Sequence, residues 1–214
     1  MKNRIQKEWL PLLLVAAPFA YLASVWTQLP DQVPLHWNLQ GEVDRWGSKS
    51  EMWLIPVFTT VLIYILLTLA PLIDPKKRIA AMGAKYGQMK LALVGTMSVL
   101  ALVIIHMTQE SELASSTPVL FIIGLLFTLL GYFMKAIKPN YFIGIRTPWT
   151  LESPLVWEKT HRLGGWLFGL GGIVIAAMAV WADTKTTFKV TVFIGVGISL
   201  IAVVYSYVIY RKNS

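Results

Sequence analysis

The chain has no cysteine, which excludes disulfide staples and cysteine-ligated metal centres. Charge is scarce: Asp, Glu, Lys and Arg make up 14% of the 214 residues. There are three histidines, His36, His106 and His161, and no His-Glu-x-x-His spacing. No serine or cysteine nucleophile motif accompanies them. The usual sequence marks of a hydrolase or a metalloenzyme are therefore missing, and no catalytic residue, metal or cofactor is assigned. The long apolar stretches contain no Asp, Glu, Lys or Arg. That counts against an ion-coupled pump, which keeps ionisable groups within its helices.

Apolar residues dominate what remains: 56% of the chain is hydrophobic and the mean hydropathy is +0.60. A soluble domain of this size could not hide so much apolar surface. Six stretches read as membrane spans: 9–29, 53–73, 91–107, 118–134, 166–181 and 190–210. The third, fourth and fifth are only 16 to 17 residues long and need interfacial residues to complete them. The expected fold is all-α: a polytopic membrane protein with six transmembrane helices and two long Pro- and Trp-rich interfacial loops, 30–52 and 135–165.

A net charge of +8 would suggest nucleic acid in a soluble protein. Here the basic residues follow topology instead, and no direct nucleic-acid contact is expected. The segment before the first span, the connections after the second and fourth spans, and the C-terminal tail hold fifteen of the nineteen Lys and Arg residues. The positive-inside rule puts those segments, and both termini, in the cytoplasm. His106 falls near the outer end of the third span and is expected to reach interfacial water. A cleavable signal peptide is the competing reading of the N-terminus. The uncharged stretch 9–30 runs 22 residues, longer than a usual signal core, which favours a retained first helix.

Each half of the chain reads helix, long loop, helix, short connection, helix, so the two halves would have opposite orientations, as in inverted-repeat transporters. The chain divides into an N-terminal membrane region, 1–90, with the outer loop, and a C-terminal one, 91–214, with the inner loop. Trp9, Trp26, Trp53, Trp166 and Trp181 sit at span ends, where amphipathic rings favour the headgroup level. Gly165 and Gly169 form a GxxxG pattern, read first as close packing inside the bundle.

The two loops hold most of the polar side chains. In the outer loop, His36, Trp37, Asn38, Gly41 and Asp44 are candidate functional residues. Asp31, His36, Glu42 and Asp44 have metal-ligand chemistry but no metal-ligand spacing. In the inner loop, 140–151 reads as irregular. Ser153 and Pro154 then start a short helix over 154–163, which Gly164 should end. The candidates there are Arg146, Thr147, Pro148, Trp149, Trp157, Glu158, His161 and Arg162. Glu158 and Arg162 stand at i,i+4 and are spaced to pair. Glu158 and His161 have acid–base chemistry, and Arg146 suits an anion.

The run Ile143-Gly144-Ile145-Arg146-Thr147-Pro148-Trp149-Thr150-Leu151, followed by Val156-Trp157 and Thr160-His161-Arg162, resembles the SdpI family of membrane immunity proteins. Leu29-Pro30, Val33-Pro34, His36-Trp37-Asn38, Gly41, Asp44 and Lys49 resemble the DUF1648-type domain often found ahead of it. The resemblance implies a multi-pass protein of the bacterial inner membrane, not an enzyme, that protects against a membrane-active peptide toxin. It further implies that the protein can draw a cytoplasmic transcriptional repressor to the membrane. Toxin contact would fall to the outer or intramembrane surface and repressor capture to the inner loop. The expected partners are thus membrane lipid, a peptide toxin and a repressor. A transporter or flippase for a peptide or lipid is the alternative, and an interfacial enzyme using Arg146, Glu158 and His161 is the third reading.

Overall fold

A computed structural model of the protein describes residues 2–38, 43–109 and 117–213. Helix α1 (Lys2–Val25) leads through a short 3-10 turn to strand β1 (Gln32–Trp37), which pairs antiparallel with β2 (Val43–Ser48). The outer loop, read from the sequence only as a long interfacial loop, thus contains a pair of antiparallel strands. Its apolar alternation explains this: Val33 points inward and is fully buried with Leu29 and Met52 against Leu22, Val25 and Ile105. The paired strands thus pack on the ends of α1 and α4.

Ser48 and Glu51 form a capping box that starts the next helical rod, with Ser48 N–H donating to Glu51 Oε1 at 3.1 Å. The rod opens as a 3-10 turn and continues as α2 (Leu54–Pro56), a π turn (Val57–Val61) and α3 (Leu62–Ile73). In the π turn, Thr59 and Thr60 hydroxyls donate to the carbonyls of Ile55 and Pro56, each at 2.7 Å. Widened turns need such replacement partners, because lipid offers none.

Helix α4 (Ala84–Gln109) follows, then α5 (Thr117–Met134), the short α6 (Pro148–Glu152), α7 (Pro154–Trp181) and α8 (Thr184–Asn213). Six helical segments are long and apolar enough to cross a membrane: 8–28, Lys49–Ile73, Ala84–Gln109, Thr117–Met134, Pro154–Trp181 and Thr184–Asn213. The protein is a multi-pass membrane protein. Large apolar side chains such as Trp181, Phe193, Leu200 and Val204 stand exposed on its outside, as lipid-facing residues do.

Two expectations are corrected. Gly164 does not end a helix: α7 runs unbroken from Pro154 through Gly164 and Gly165. Both glycines are buried against neighbouring elements, and that packing outweighs their poor helix propensity. The third span also starts earlier than position 91. Lys90 lies inside α4, almost fully buried, and its Nζ meets Glu8 Oε2 of α1 at 2.7 Å. A charge that hydropathy assigns to a connection is thus paired within the bundle.

Helix α1 packs along α4, with Ser98 Oγ donating to the Leu14 carbonyl at 2.7 Å. His106 does not simply face water: its Nδ1 is 3.0 Å from the Tyr21 hydroxyl of α1. In the C-terminal trio, α7 packs on both α5 and α8, and α4 joins the trios through α5. The extensive contact is between first and third helices in the N-terminal trio, but between first and second in the C-terminal trio. The halves are not packed alike.

The α5–α7 contact is backbone on backbone. A Cβ at Gly124 would lie 2.6 Å from the Ala176 amide nitrogen, and one at Gly131 would lie 2.7 Å from the Gly165 carbonyl oxygen. A Cβ at Gly172 would collide with the Thr128 amide and the Gly124 carbonyl. The GxxxG pattern thus works inside the bundle, through Gly165, as expected. Gly172→Leu should push the helices apart and cost roughly 1–3 kcal/mol, the usual range for overpacking. A fall in detergent melting temperature would show it, and an unchanged melting curve would contradict it.

Candidate functional site

The segment 135–153 leaves the end of α5, crosses over, and returns into α7. Asn140, only 2% exposed, organises its first turn. Its Oδ1 accepts from the amides of Phe142 and Ile143 at 2.7 and 2.8 Å. Its Nδ2 donates to the Lys138 and Ile143 carbonyls at 2.8 and 3.1 Å. One side chain so replaces the backbone partners that the turn lacks.

His161 fixes the next turn. Its Nδ1 lies 2.9 Å from the Trp157 carbonyl, and its Nε2 accepts from the Ile145 amide at 3.1 Å. A carbonyl only accepts and an amide only donates, so the ring carries its proton on Nδ1. The imidazole stacks on Trp157 with centroids 4.0 Å apart. Trp157 Nε1 in turn donates to the Ile137 carbonyl at 2.8 Å. Gly144 makes this approach possible. Its φ is +106°, and a Cβ there would collide with His161 Nε2.

Thr147 caps α6, accepting from the Thr150 amide at 3.2 Å, with Pro148 at the first helical position. The Thr147 hydroxyl also lies 3.0 Å from the Ser206 hydroxyl of α8. Trp149 packs on Tyr207 of α8, 5.1 Å between centroids. Tyr210 donates to Glu152 at 3.3 Å. The connection between α3 and α4 closes the other side: Arg78 Nη1 donates to the Pro139 carbonyl at 3.3 Å, and Lys138 Nζ to the Ala81 carbonyl at 3.2 Å. The basic connections after the second and fourth spans therefore meet at one end of the bundle.

A cleft of about 660 Å³ opens at this end beside the first turns of α7. Lys135, Lys138, Glu158 and Arg162 are exposed around it, and Trp157 and His161 form its inner wall. Glu158 and Arg162 share the cleft but form no ion pair within 4.0 Å, so the expected i,i+4 pair is not made. Arg146 lies outside the cleft, and its Nη1 donates to the Tyr141 carbonyl at 2.6 Å. The structure thus brings Trp157, Glu158, His161 and Arg162 to one cleft. Thr147, Pro148 and Trp149 instead anchor α6 to α8. Sequence reasoning missed Asn140, Lys135 and Lys138 as contributors. An Asn one residue after Pro139, in a turn-rich stretch, was the available signal for the first.

At the opposite end, His36 Nδ1 meets Asp44 Oδ1 at 2.6 Å across the hairpin. Trp37 pairs with Val43 through the backbone, Asn38 follows the strand, and Gly41 and Glu42 lie outside the described residues. Among the described residues, no three His, Asp or Glu side chains come together as a metal-ligand set. The hairpin and the inner cleft remain at separate ends.

Comparison with known proteins adds to this geometry. Residues 136–209, which contain most of the inner segment and α7, match the model of the SdpI/YfhL protein family. Residues 13–60, which contain the hairpin, match a domain of unknown function, DUF1648. The immunity protein SdpI of Bacillus subtilis is 24% identical over 97% of this chain and 98% of its own length. An uncharacterised protein of Archaeoglobus fulgidus is 33% identical over 63 residues, 29% of this chain and 34% of its own. No solved structure matches.

His161→Ala should leave the Ile145 amide without its buried partner and loosen 140–146 by about 1–3 kcal/mol. Faster trypsin cleavage after Arg146 in the folded, detergent-purified variant would show it. Cleavage at the wild-type rate would mean that the imidazole does not hold the segment.

Proposed function

We propose, from a chain that carries an SdpI/YfhL segment behind a DUF1648 segment, that this is a membrane immunity protein. In this reading it protects its cell from a membrane-active peptide toxin and signals through a cytoplasmic transcriptional repressor. The observation that carries the reading is similarity to an immunity protein along nearly the whole length of both chains. The division of polar groups between the two ends of the bundle supports it. The hairpin end, with His36 and Asp44, would face the toxin. The basic cleft between Lys138 and Arg162 would receive the repressor, and with it both termini would lie in the cytoplasm of a bacterial inner membrane.

The interfacial-enzyme reading loses one of its two acid–base groups, because both ring nitrogens of His161 are held by backbone. The transporter reading loses the support it drew from a repeat, because the two trios pair their helices differently.

Expression in cells sensitive to an SDP-type toxin should protect them. The double charge reversal Lys138→Glu/Arg162→Glu should keep protection while abolishing toxin-dependent derepression of a reporter. Sensitive cells that make wild-type protein at blot-verified levels and still die would rule out immunity. In intact cells, an impermeant maleimide should label Arg45→Cys, but should label Arg211→Cys only after permeabilisation. The reverse pattern would invert the topology.

A further inference from the structure

The Glu8–Lys90 pair stands at the inner wall of a groove of about 540 Å³ bounded by α1, α3 and α4. The groove shares no lining residue with the inner cleft and has no part in the reading above. Lys90 Nζ and the Tyr64 hydroxyl both donate to one carboxylate oxygen, Glu8 Oε2, at 2.7 and 3.1 Å, and the ammonium also lies over the Tyr64 ring. The Lys90 side chain is 7% exposed but that of Glu8 is 35% exposed, so the carboxylate is the group that the groove presents. Its other oxygen, Oε1, makes no hydrogen bond among the described residues.

Beyond the pair the groove is apolar, walled by Leu12, Leu67 and Leu72. Its rim faces lipid: Trp9 and Leu72 are each 61% exposed. Stability alone does not explain a buried ion pair, since apolar residues of similar volume usually serve as well or better. Nor does it explain Gly87 inside α4, where alanine would favour the helix. Gly87 lines the groove and a Cβ there would meet nothing within 4 Å, so a long side chain at this position has room to enter it.

We propose that this groove holds a membrane phospholipid with a primary ammonium headgroup, its ammonium donating to Glu8 Oε1 and one acyl chain running past Leu12 into the bilayer. Charge complementarity selects the headgroup. The open atom is an anionic acceptor, Lys90 is already occupied, and a quaternary ammonium has no proton to donate. An anionic headgroup would meet the carboxylate first.

Native mass spectrometry of the full chain with an equimolar mixture of phosphatidylethanolamine, phosphatidylcholine and phosphatidylglycerol of the same acyl chains tests this. Phosphatidylethanolamine should be retained about tenfold over phosphatidylcholine, the worth of one charge-assisted hydrogen bond. Gly87→Leu fills the groove and should abolish the retention with the ion pair intact. Glu8→Met/Lys90→Met, which leaves no unpaired charge, should abolish the headgroup preference at an unchanged melting temperature. Equal retention of the two zwitterionic lipids, preference for phosphatidylglycerol, or a preference that survives Gly87→Leu would each overturn the proposal. None of those results would bear on toxin protection.

Discussion

The close approach of α5 and α7 is the constraint on which the segment 135–153 and its cleft depend. Within a bilayer, apolar side chains gain nothing by leaving lipid for one another, so helix association rests on packing and hydrogen bonds. Gly124, Gly131, Gly165 and Gly172 let two backbones touch where any side chain would hold them apart. That contact fixes how far the end of α5 stands from the start of α7, and the segment 135–153 must bridge that gap. Had α7 stopped at Gly164, its first turns could have swung free. As one rod from Pro154 to Trp181, it carries Trp157 and His161 rigidly from the bundle into the loop.

The inner segment is then held by polar economy. Asn140, His161, Trp157 and Thr147 each satisfy backbone groups that the helical hydrogen-bond pattern leaves open. The family-resembling motif divides accordingly into residues that build the segment and residues that face outward from it. Thr147, Trp157 and His161 are of the first kind. Glu158 and Arg162, with Lys135 and Lys138, are of the second and give the cleft its charge. A motif long enough to be recognised in sequence is thus mostly a folding motif, with the exposed charged groups at its margins.

The same physics acts at two ionisable positions outside that segment. Lys90 enters the bundle because Glu8 and Tyr64 meet it there. His36 is drawn to Asp44 because a hairpin places them across from each other. In both cases a lone ionisable residue in the sequence has a partner supplied by another element.

By itself the sequence determined the membrane class, the six spans, the concentration of basic residues in alternate connections and the family-like loops. These follow from composition and local order: apolar runs of bilayer length, charge counted along the chain, and contiguous motifs. It also pointed to packing glycines in α7, because small residues four apart carry that meaning locally. Only the tertiary structure decided that α7 continues through Gly164, that 32–37 and 43–48 pair as strands packed on α1 and α4, and that His161 is bound at both ring nitrogens. It alone placed Lys90 inside. Each of those outcomes turns on a partner distant in sequence: Gly131 for Gly165, Ile105 for the cluster around Val33, Ile145 for His161 and Glu8 for Lys90. Local propensity cannot see such partners, and in lipid, where an unmet polar group costs several kcal/mol, they outweigh it.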